Sequence, residues 1–216
     1  MLVGPSFSGI VLTLIVEGWS GLKHLFARMQ PVGIPAGWYT CLLIPPVLII
    51  FTLELLKVVL SPDFAPNHFL LGMLFAVPAG FVEEIGWTGF ALPQMARRWS
   101  IMWSALLLGL LWGAWLIPAI DFLGTATPHG SHWTHYFFAF TAAMMAIRVL
   151  IVWLYENTQS VLMAQLMHVS STGSLVVFSP INVTAAQEAL WYGAYALSLW
   201  IVIGFVALVQ KRYLKR

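Results

Sequence analysis

The sequence predicts an all-α protein, a polytopic transmembrane helical bundle of about seven spans that forms a single domain over residues 1–216. Hydrophobic residues make up 60% of the chain and charged residues only 8%, whereas a soluble domain carries about 25% charged residues. A chain with so few charges cannot cover itself with a surface that water would wet. We therefore expect an integral protein of a lipid bilayer, and the small net charge of +2 gives no reason to expect a nucleic-acid partner.

The individual spans follow from length, because a transmembrane helix needs about 20 mostly apolar residues. Prolines inside the second and third segments predict kinks rather than ends, since membrane helices tolerate proline. The first segment is the shortest, so whether it spans fully is left open, and it shows no cleavage-site signature of a signal peptide. Connections with Pro, Gly, Asn and charged residues separate the segments, which cover roughly residues 1–17, 38–60, 68–92, 100–120, 135–155, 159–178 and 188–210.

The basic residues in the connections predict the orientation of the chain. With seven spans they all fall on one side of the membrane, and Lys57, near the outer end of the second span, is the nearest exception. Because loops rich in Lys and Arg stay in the cytoplasm, we expect a multi-pass protein of the cell membrane with a cytoplasmic C-terminus. The basic residues concerned are Lys23, Arg28, Arg97, Arg98, Lys211, Arg212, Lys215 and Arg216.

Two adjacent acids, Glu83 and Glu84, lie inside the third apolar segment. A charged residue at such a depth costs roughly 2.5–3.5 kcal/mol on insertion scales, and two neighbouring carboxylates repel each other when both are ionised. Arg148 in the fifth segment and His168 in the sixth lie at a similar depth, ~10–14 Å from the cytoplasmic boundary at a rise of about 1.5 Å per residue. We therefore expect these groups to form one polar centre in which each supplies a partner that the others need.

Structural roles compete with functional ones for these residues. Arg148 and the acids could form an ion pair that serves stability alone, and a guanidinium is better suited to neutralising carboxylates than to proton transfer. His168 could simply bond to a neighbouring carbonyl. His129, His132 and His135 would share a helix face and could bind a metal, but they lie in an outer loop with Pro and Gly, which favours a solvated or interfacial role.

The residues around the acid pair resemble a known family. Glu83-Glu84-Ile-Gly-Trp-Thr-Gly-Phe-Ala-Leu-Pro is similar to the first motif, Glu-Glu-x-x-x-Arg, of the CAAX protease and bacteriocin-processing family, also called the Abi or type II CAAX prenyl endopeptidase family. The second motif, an aromatic residue with His four positions later, aligns with Leu110-Leu-Trp-Gly-Ala-Trp-Leu-Ile-Pro, and the third, His-x-x-x-Asn or Asp, with Leu166-Met-His-Val-Ser-Ser-Thr-Gly. The resemblance covers nearly the whole chain, with a core at roughly 68–178, and implies an intramembrane protease of the CAAX prenyl protease 2-like type.

The resemblance also implies roles for the residues that match the motifs. Glu83 and Glu84 would be the base that activates a water and the partner of that base, and His168 would donate to the oxyanion. Thr172 lies one helical turn after His168 and could replace the family's Asn as a hydroxyl donor, since positions four apart share a helix face. The catalytic residues implied by the family are therefore the acid pair and His168.

Three positions depart from the family pattern. Thr88 stands where the first motif has Arg, and Thr172 where the third has Asn. Leu116 stands where the second motif has His, with Trp112 at the aromatic position. A leucine neither donates, accepts nor coordinates, so this change could impair catalysis. We expect Arg148 to supply the positive charge that Thr88 no longer supplies.

No cofactor is expected to be required. A catalytic zinc normally has three protein ligands, and Glu83, Glu84 and His168 would provide three only with strained geometry, because adjacent helix positions diverge by about 100°. The single cysteine, Cys41, excludes a cysteine-based metal cluster and an intrachain disulfide. We therefore favour a metal-independent glutamate mechanism over the alternative in which a divalent metal such as zinc binds to these three residues.

The favoured function is an intramembrane endopeptidase that hydrolyses a peptide bond in a membrane-associated protein or peptide. The alternative is a catalytically silent relative that acts as a membrane binding or self-protection protein, and the residue at position 116 is the feature that separates the two. A small transporter or channel is a third hypothesis, but the chain lacks an inverted repeat of the kind found in many transporters. The sequence leaves open the oligomeric state and the substrate, whether a prenylated protein, a bacteriocin precursor or a signalling peptide.

Overall fold

Helices form nearly all of the described chain. The computed structural model describes residues 3–30, 33–122 and 128–210, with the backbone alone described for residues 119–122. No strand occurs within these ranges, which confirms the all-α prediction. In chain order the α-helices are α1 (Val3–Ala27), α2 (Ile44–Val59), α3 (Met73–Gly86), α4 (Leu92–Ala96), α5 (Ile101–Phe122), α6 (Trp133–Thr158), α7 (Val161–Phe178) and α8 (Ala185–Val209).

Seven helical segments of the described chain are long and apolar enough to cross a membrane. Two of them are composite. A 3₁₀ helix over Ala36–Leu43 leads into α2, and a π-helical turn over Trp87–Ala91 joins α3 to α4 within the span Leu70–Ala96. The prediction of seven spans is therefore confirmed.

The first span is longer than the sequence predicts. The expected segment covers roughly residues 1–17, whereas α1 continues to Ala27 through a kink at Gly18, whose φ of 68° lies in the left-handed region that favours glycine. The helix continues past the kink because Leu22 and Leu25 have buried side chains there. Lys23, which the sequence assigns to the first connection, therefore lies within α1.

A tight turn joins α6 to α7. Gln159 ends α6 in the left-handed conformation with a φ of 52°, and Ser160 begins α7 by accepting a hydrogen bond on its Oγ from the N–H of Met163. Such a serine satisfies one of the backbone donors that the first turn of a helix leaves unpaired. The two helices therefore run antiparallel and adjacent, and they are the most buried spans of the bundle.

The remaining helices surround this central pair. α5 and α8 pack on α6, α3 packs on α7, and α1 packs on α3. α2 packs on α7 and α8. Since α3 and α5 pack on different members of the central pair, the side chains that they direct inward meet in the interior between α3, α5, α6 and α7.

Polar contacts join the helix ends that carry the basic residues. Arg28 donates from Nη1 to the Tyr155 hydroxyl over 2.6 Å and from Nη2 to the Gly89 carbonyl over 2.8 Å. Arg97 forms an ion pair with Glu17 over 3.1 Å. The ends of α1, α4 and α6 therefore lie together at one end of the bundle, which we call the basic end; the four basic residues predicted at the C-terminus lie outside the described residues.

We expect the basic end to face the cytoplasm, because loops rich in Lys and Arg stay on that side. In a Cys41→Ala background, Arg98→Cys at the basic end and His132→Cys at the opposite end each introduce one exposed thiol. A membrane-impermeant maleimide should label His132→Cys in intact cells and Arg98→Cys only after permeabilisation. Labelling of both from one side would contradict the seven-span arrangement, and the reverse pattern would contradict the orientation.

Candidate active site

The carboxylate of Glu84 joins three of the predicted polar groups. Its Oε2 accepts a hydrogen bond from Arg148 Nη1 over 2.8 Å, and its Oε1 lies 2.7 Å from His168 Nδ1. Thr88, one turn further along the span, also donates from its hydroxyl to Oε2. Glu84 and Arg148 have no exposed surface. The predicted ion pair between Arg148 and one of the two acids is therefore confirmed, and the acid is Glu84.

Glu83 has a different environment. Trp112 donates from its indole Nε1 to Glu83 Oε2 over 3.2 Å. The indole of Trp87 lies near the same carboxylate, but its N–H has no partner with hydrogen-bond geometry among the described residues. Glu83 also keeps a small exposed fraction of 2%, whereas Glu84 keeps none. The two carboxylates therefore differ. Both oxygens of Glu84 are bonded, whereas Oε1 of Glu83 accepts no hydrogen bond from the described residues.

The indole of Trp112 holds the groups around it together. The guanidinium carbon of Arg148 lies 4.7 Å from the centre of the ring, which is the geometry of a cation–π interaction. The imidazole of His168 approaches the same ring edge-on, with 4.8 Å between the ring centres. Because Glu83 accepts from the indole N–H, one aromatic side chain from α5 contacts groups from α3, α6 and α7.

Two glycines let the helix backbones approach closely enough to form this centre. A Cβ at Gly80 of α3 would lie 2.8 Å from the backbone N of Val169 in α7. A Cβ at Gly109 of α5 would lie 2.6 Å from the Cα of Met145 in α6. Both distances are too short for any larger residue, so close packing of small residues brings His168 to the acids and Trp112 to Arg148.

The backbone around the acid pair is fixed from both sides. Gln165 of α7 donates from Nε2 to the carbonyl of Phe81 over 2.7 Å. On the other side, the hydroxyl of Ser6 in α1 donates to the carbonyl of Val82. The π-helical turn then begins at Trp87, and such turns are frequent at functional sites. Hydrogen bonds from α1 and α7 therefore fix the part of the α3 backbone that carries the two acids.

The structure brings most of the predicted site residues together. Thr172 is the exception: it is half-buried on α7 and forms no hydrogen bond within the described residues. Leu116 lies one turn after the indole on α5 and packs against the apolar core. Gln165 is a residue that sequence reasoning missed, although a glutamine three positions before His168 in an apolar span was a usable signal. The residues that meet in one cluster are Glu83, Glu84, Thr88, Trp112, Arg148 and His168.

Among the outer-loop histidines, His132 and His135 are exposed, which agrees with the predicted solvated or interfacial role, whereas His129 departs from it. His129 is buried rather than solvated, with its Nε2 3.1 Å from Glu188 Oε2 and its ring stacked on Tyr136. The reason is that Glu188, in the first turn of α8, provides an acceptor at this point. His132 and His135 lie with 6.2 Å between their ring centres. Among the described residues, no group of three His, Cys, Asp or Glu side chains could hold a metal ion.

The main cluster also fits a metal ion poorly. Both oxygens of Glu84 are bonded: Oε2 accepts from the Arg148 guanidinium, and Oε1 contacts His168 Nδ1. His168 Nδ1 is therefore engaged by a carboxylate oxygen and is not available to a metal. A divalent cation at this carboxylate would meet the permanent positive charge of Arg148. The donor set is therefore better suited to cationic side chains than to zinc, which normally takes three protein ligands.

An acid pair, an arginine and a histidine that meet at membrane depth define a multi-pass membrane protein with an internal polar centre. Residues 65–174, half of the chain, match the family model of the Type II CAAX prenyl endopeptidase Rce1-like proteins. The chain belongs to this family of membrane proteases, and the resemblance seen in the motifs is confirmed. All residues of the cluster fall within the matched range.

The chain is also similar to part of a curated archaeal protein. CAAX prenyl protease 2 of Methanococcus maripaludis is 29% identical to this chain over 113 residues, which cover 50% of this chain and 39% of the relative. This chain therefore spans well under half of the length of that relative.

Proposed function

We propose that the protein is an intramembrane endopeptidase in which Glu83 activates a water for attack on a peptide bond. The observation that carries this proposal is the asymmetry of the acid pair. Glu84 has both oxygens bonded to Arg148, Thr88 and His168, whereas Glu83 has Oε1 free to accept a proton. A general base must reach the proton that it removes, so the less engaged carboxylate is the better candidate.

The reaction follows from these positions. Glu83 takes one proton from a water, and the water oxygen forms a bond to the carbonyl carbon of the peptide. The electron pair of the C=O bond moves to oxygen, and the resulting oxyanion needs a hydrogen-bond donor. When the C–N bond breaks, the proton on Glu83 passes to the leaving nitrogen. Glu83 thus serves first as base and then as acid, and no metal is needed in any step.

Glu84 acts in this scheme by holding other groups. With His168 Nδ1 2.7 Å from Glu84 Oε1, a proton on Nδ1 is directed to the carboxylate, and a histidine that carries both ring protons also presents a donor at Nε2. The opposite ring nitrogen, Nε2, is then free to donate to the oxyanion.

The buried position of the centre restricts the substrate. Glu83 is 2% exposed and His168 1%, so a peptide reaches them only when neighbouring helices separate. A substrate that is already in or on the bilayer can reach the bundle through the lipid, which the apolar side chains on the outside of the bundle contact. We therefore propose a membrane-associated protein or peptide as the substrate; a prenylated protein, a bacteriocin precursor and a signalling peptide all fit this description.

A catalytically silent relative is the second candidate function. Leu116 supplies no proton-transfer group, and the polar groups of the cluster largely satisfy one another in a closed interior. In that case the bundle would act as a membrane binding or self-protection protein. The two candidates predict different outcomes in the same assay.

Leu116→His is expected to raise cleavage by about 10²-fold, the lower end of what a positioned acid–base group contributes. The new imidazole would lie one turn from Trp112 on α5, on the side of the helix that carries the indole to Glu83. The assay uses the full chain in liposomes with a panel of membrane-anchored peptides, with and without a prenylated cysteine. Leu116→Gln is the matched control, because it adds a polar group that cannot act as a base.

The results of this assay separate the candidates. Cleavage by the parent protein that survives a metal chelator supports the metal-independent protease. A parent that is inert while Leu116→His cleaves supports the silent relative. If the parent and every variant stay inert on all peptides, the protease mechanism loses its support.

A further inference from the structure

Arg148 has hydrogen-bond donors that the folded chain does not use. Nη1 bonds to Glu84, but Nε and Nη2 have no partner among the described residues, although the side chain has no exposed surface. Leaving a buried polar group unpaired costs about 1–3 kcal/mol, and more when the group is charged. Unpaired donors at a buried cation can bind an oxygen atom, whether of a water or of a substrate.

These free donors lie beside the reacting groups of the proposed mechanism. The guanidinium lies over the indole of Trp112, with 4.7 Å between its central carbon and the ring centre. The same indole donates to Glu83, and His168 forms a T-shaped contact with it. The base, the histidine donor and the unpaired N–H groups of Arg148 therefore belong to side chains that all contact a single ring.

The chemistry of the guanidinium suits an oxyanion. It is planar, always charged and presents several donors in a fixed arrangement. The bond from Nη1 to Glu84 fixes one side of the group, so the other side is oriented before the substrate arrives. Donors fixed in this way toward a developing negative charge, in a low-dielectric interior, are among the strongest contributions to catalysis.

We propose that Arg148 is a catalytic residue whose Nη2–H, together with His168 Nε2–H, donates to the oxyanion of the tetrahedral intermediate. This inference rests on the proposed protease function and deepens it. As the water oxygen bonds to the carbonyl carbon, the C=O electron pair moves onto oxygen, and Arg148 and His168 stabilise it without giving up a proton. When the pair returns, the C–N bond breaks and Glu83 protonates the nitrogen. Thr172 takes no part in this step.

Arg148→Lys separates this role from a purely structural one. A lysine keeps the positive charge and can still pair with Glu84, but it lacks the fixed planar donors. We expect kcat to fall by about 10²–10³-fold, the usual loss when one oxyanion donor is removed, with KM and melting temperature close to those of the parent. Binding of a peptidyl phosphinate, whose tetrahedral anion resembles the intermediate, should weaken by a similar factor. Arg97→Lys, at an ion pair outside the centre, is the matched control and should keep parental values.

A second comparison covers the case in which the lysine variant does not fold. Glu84→Gln alone and Glu84→Gln with Arg148→Met both remove the buried ion pair, but only the double variant removes the donors. The double variant should cleave at least about 10² times more slowly than the single one.

The outcomes distinguish failure of the role proposed for Arg148 from failure of the proposed protease function. A folded Arg148→Lys with parental kcat and parental phosphinate affinity would overturn the role of Arg148 alone, as would equal rates for Glu84→Gln and the double variant. A parent protein that cleaves no peptide overturns the protease function and this inference with it.

Discussion

Glu83→Gln should reduce peptide cleavage by about 10³-fold or more and leave the protein folded. A positioned general base contributes about 10²–10⁴ in rate, and an amide cannot take a proton from water. The amide oxygen can still accept the hydrogen bond that Trp112 donates to Glu83 Oε2. The substitution also removes no partner of Arg148, whose bond is to Glu84. The variant should therefore lose peptide cleavage and keep its fold.

Single-turnover cleavage of a membrane-anchored peptide and the melting temperature in detergent measure the two effects separately. Glu54→Gln, at a partly exposed salt bridge with Lys57, is the matched control and should retain parental cleavage. A Glu83→Gln variant that still cleaves at the parental rate would exclude Glu83 as the base. In that case Glu84 would have to be the base, although three groups already bond to its carboxylate.

Arg148→Met should destabilise the folded bundle by about 3–5 kcal/mol, because it leaves a buried carboxylate without its cation. Glu84→Gln alone should also destabilise it, since the guanidinium then remains unpaired in the interior. Because neither charge remains in the double variant, the double variant should recover a substantial part of the combined loss. Equilibrium unfolding of the single and double variants provides the coupling free energy between the two side chains.

Arg97→Met with Glu17→Gln is the corresponding cycle for an ion pair at the basic end. That pair is partly exposed, so its coupling should be no more than about 1 kcal/mol. A coupling between Glu84 and Arg148 as small as this would contradict the view that the buried pair balances the charges of the centre.

The fold was predictable because the membrane allows few solutions. A chain with 8% charged residues must place its backbone in helices that satisfy their own hydrogen bonds, so length and composition predict the seven spans. The cluster was predictable for the same reason, since Glu84, Arg148 and His168 at similar depth are the ionisable groups that can compensate one another inside the bilayer. Depth follows from counting residues along a helix, and it requires no knowledge of packing.

Other features depend on packing that the sequence pattern does not contain. Glu83 and Glu84 look equivalent in sequence, and their different contacts depend on a helix rotation set by contacts at Gly80 and by the bonds of α1 and α7 to the backbone of α3. The position of Trp112 among three charged or polar groups depends likewise on how closely α5 approaches α6. His129 is buried because a distant residue, Glu188, lies opposite it in the folded chain.

The ion pair between α3 and α6 has a consequence for biosynthesis. Glu84 and Arg148 are 64 residues apart in the chain. Because ribosomes add about 5–20 residues per second, about 3–13 s pass between the synthesis of Glu84 and that of Arg148. During that interval α3 enters the membrane with two carboxyl groups and no arginine or histidine to meet them. A nascent chain that stops after α5 should therefore be held at the insertion machinery or degraded, and the release of the protein into the bilayer should depend on synthesis of α6 and α7.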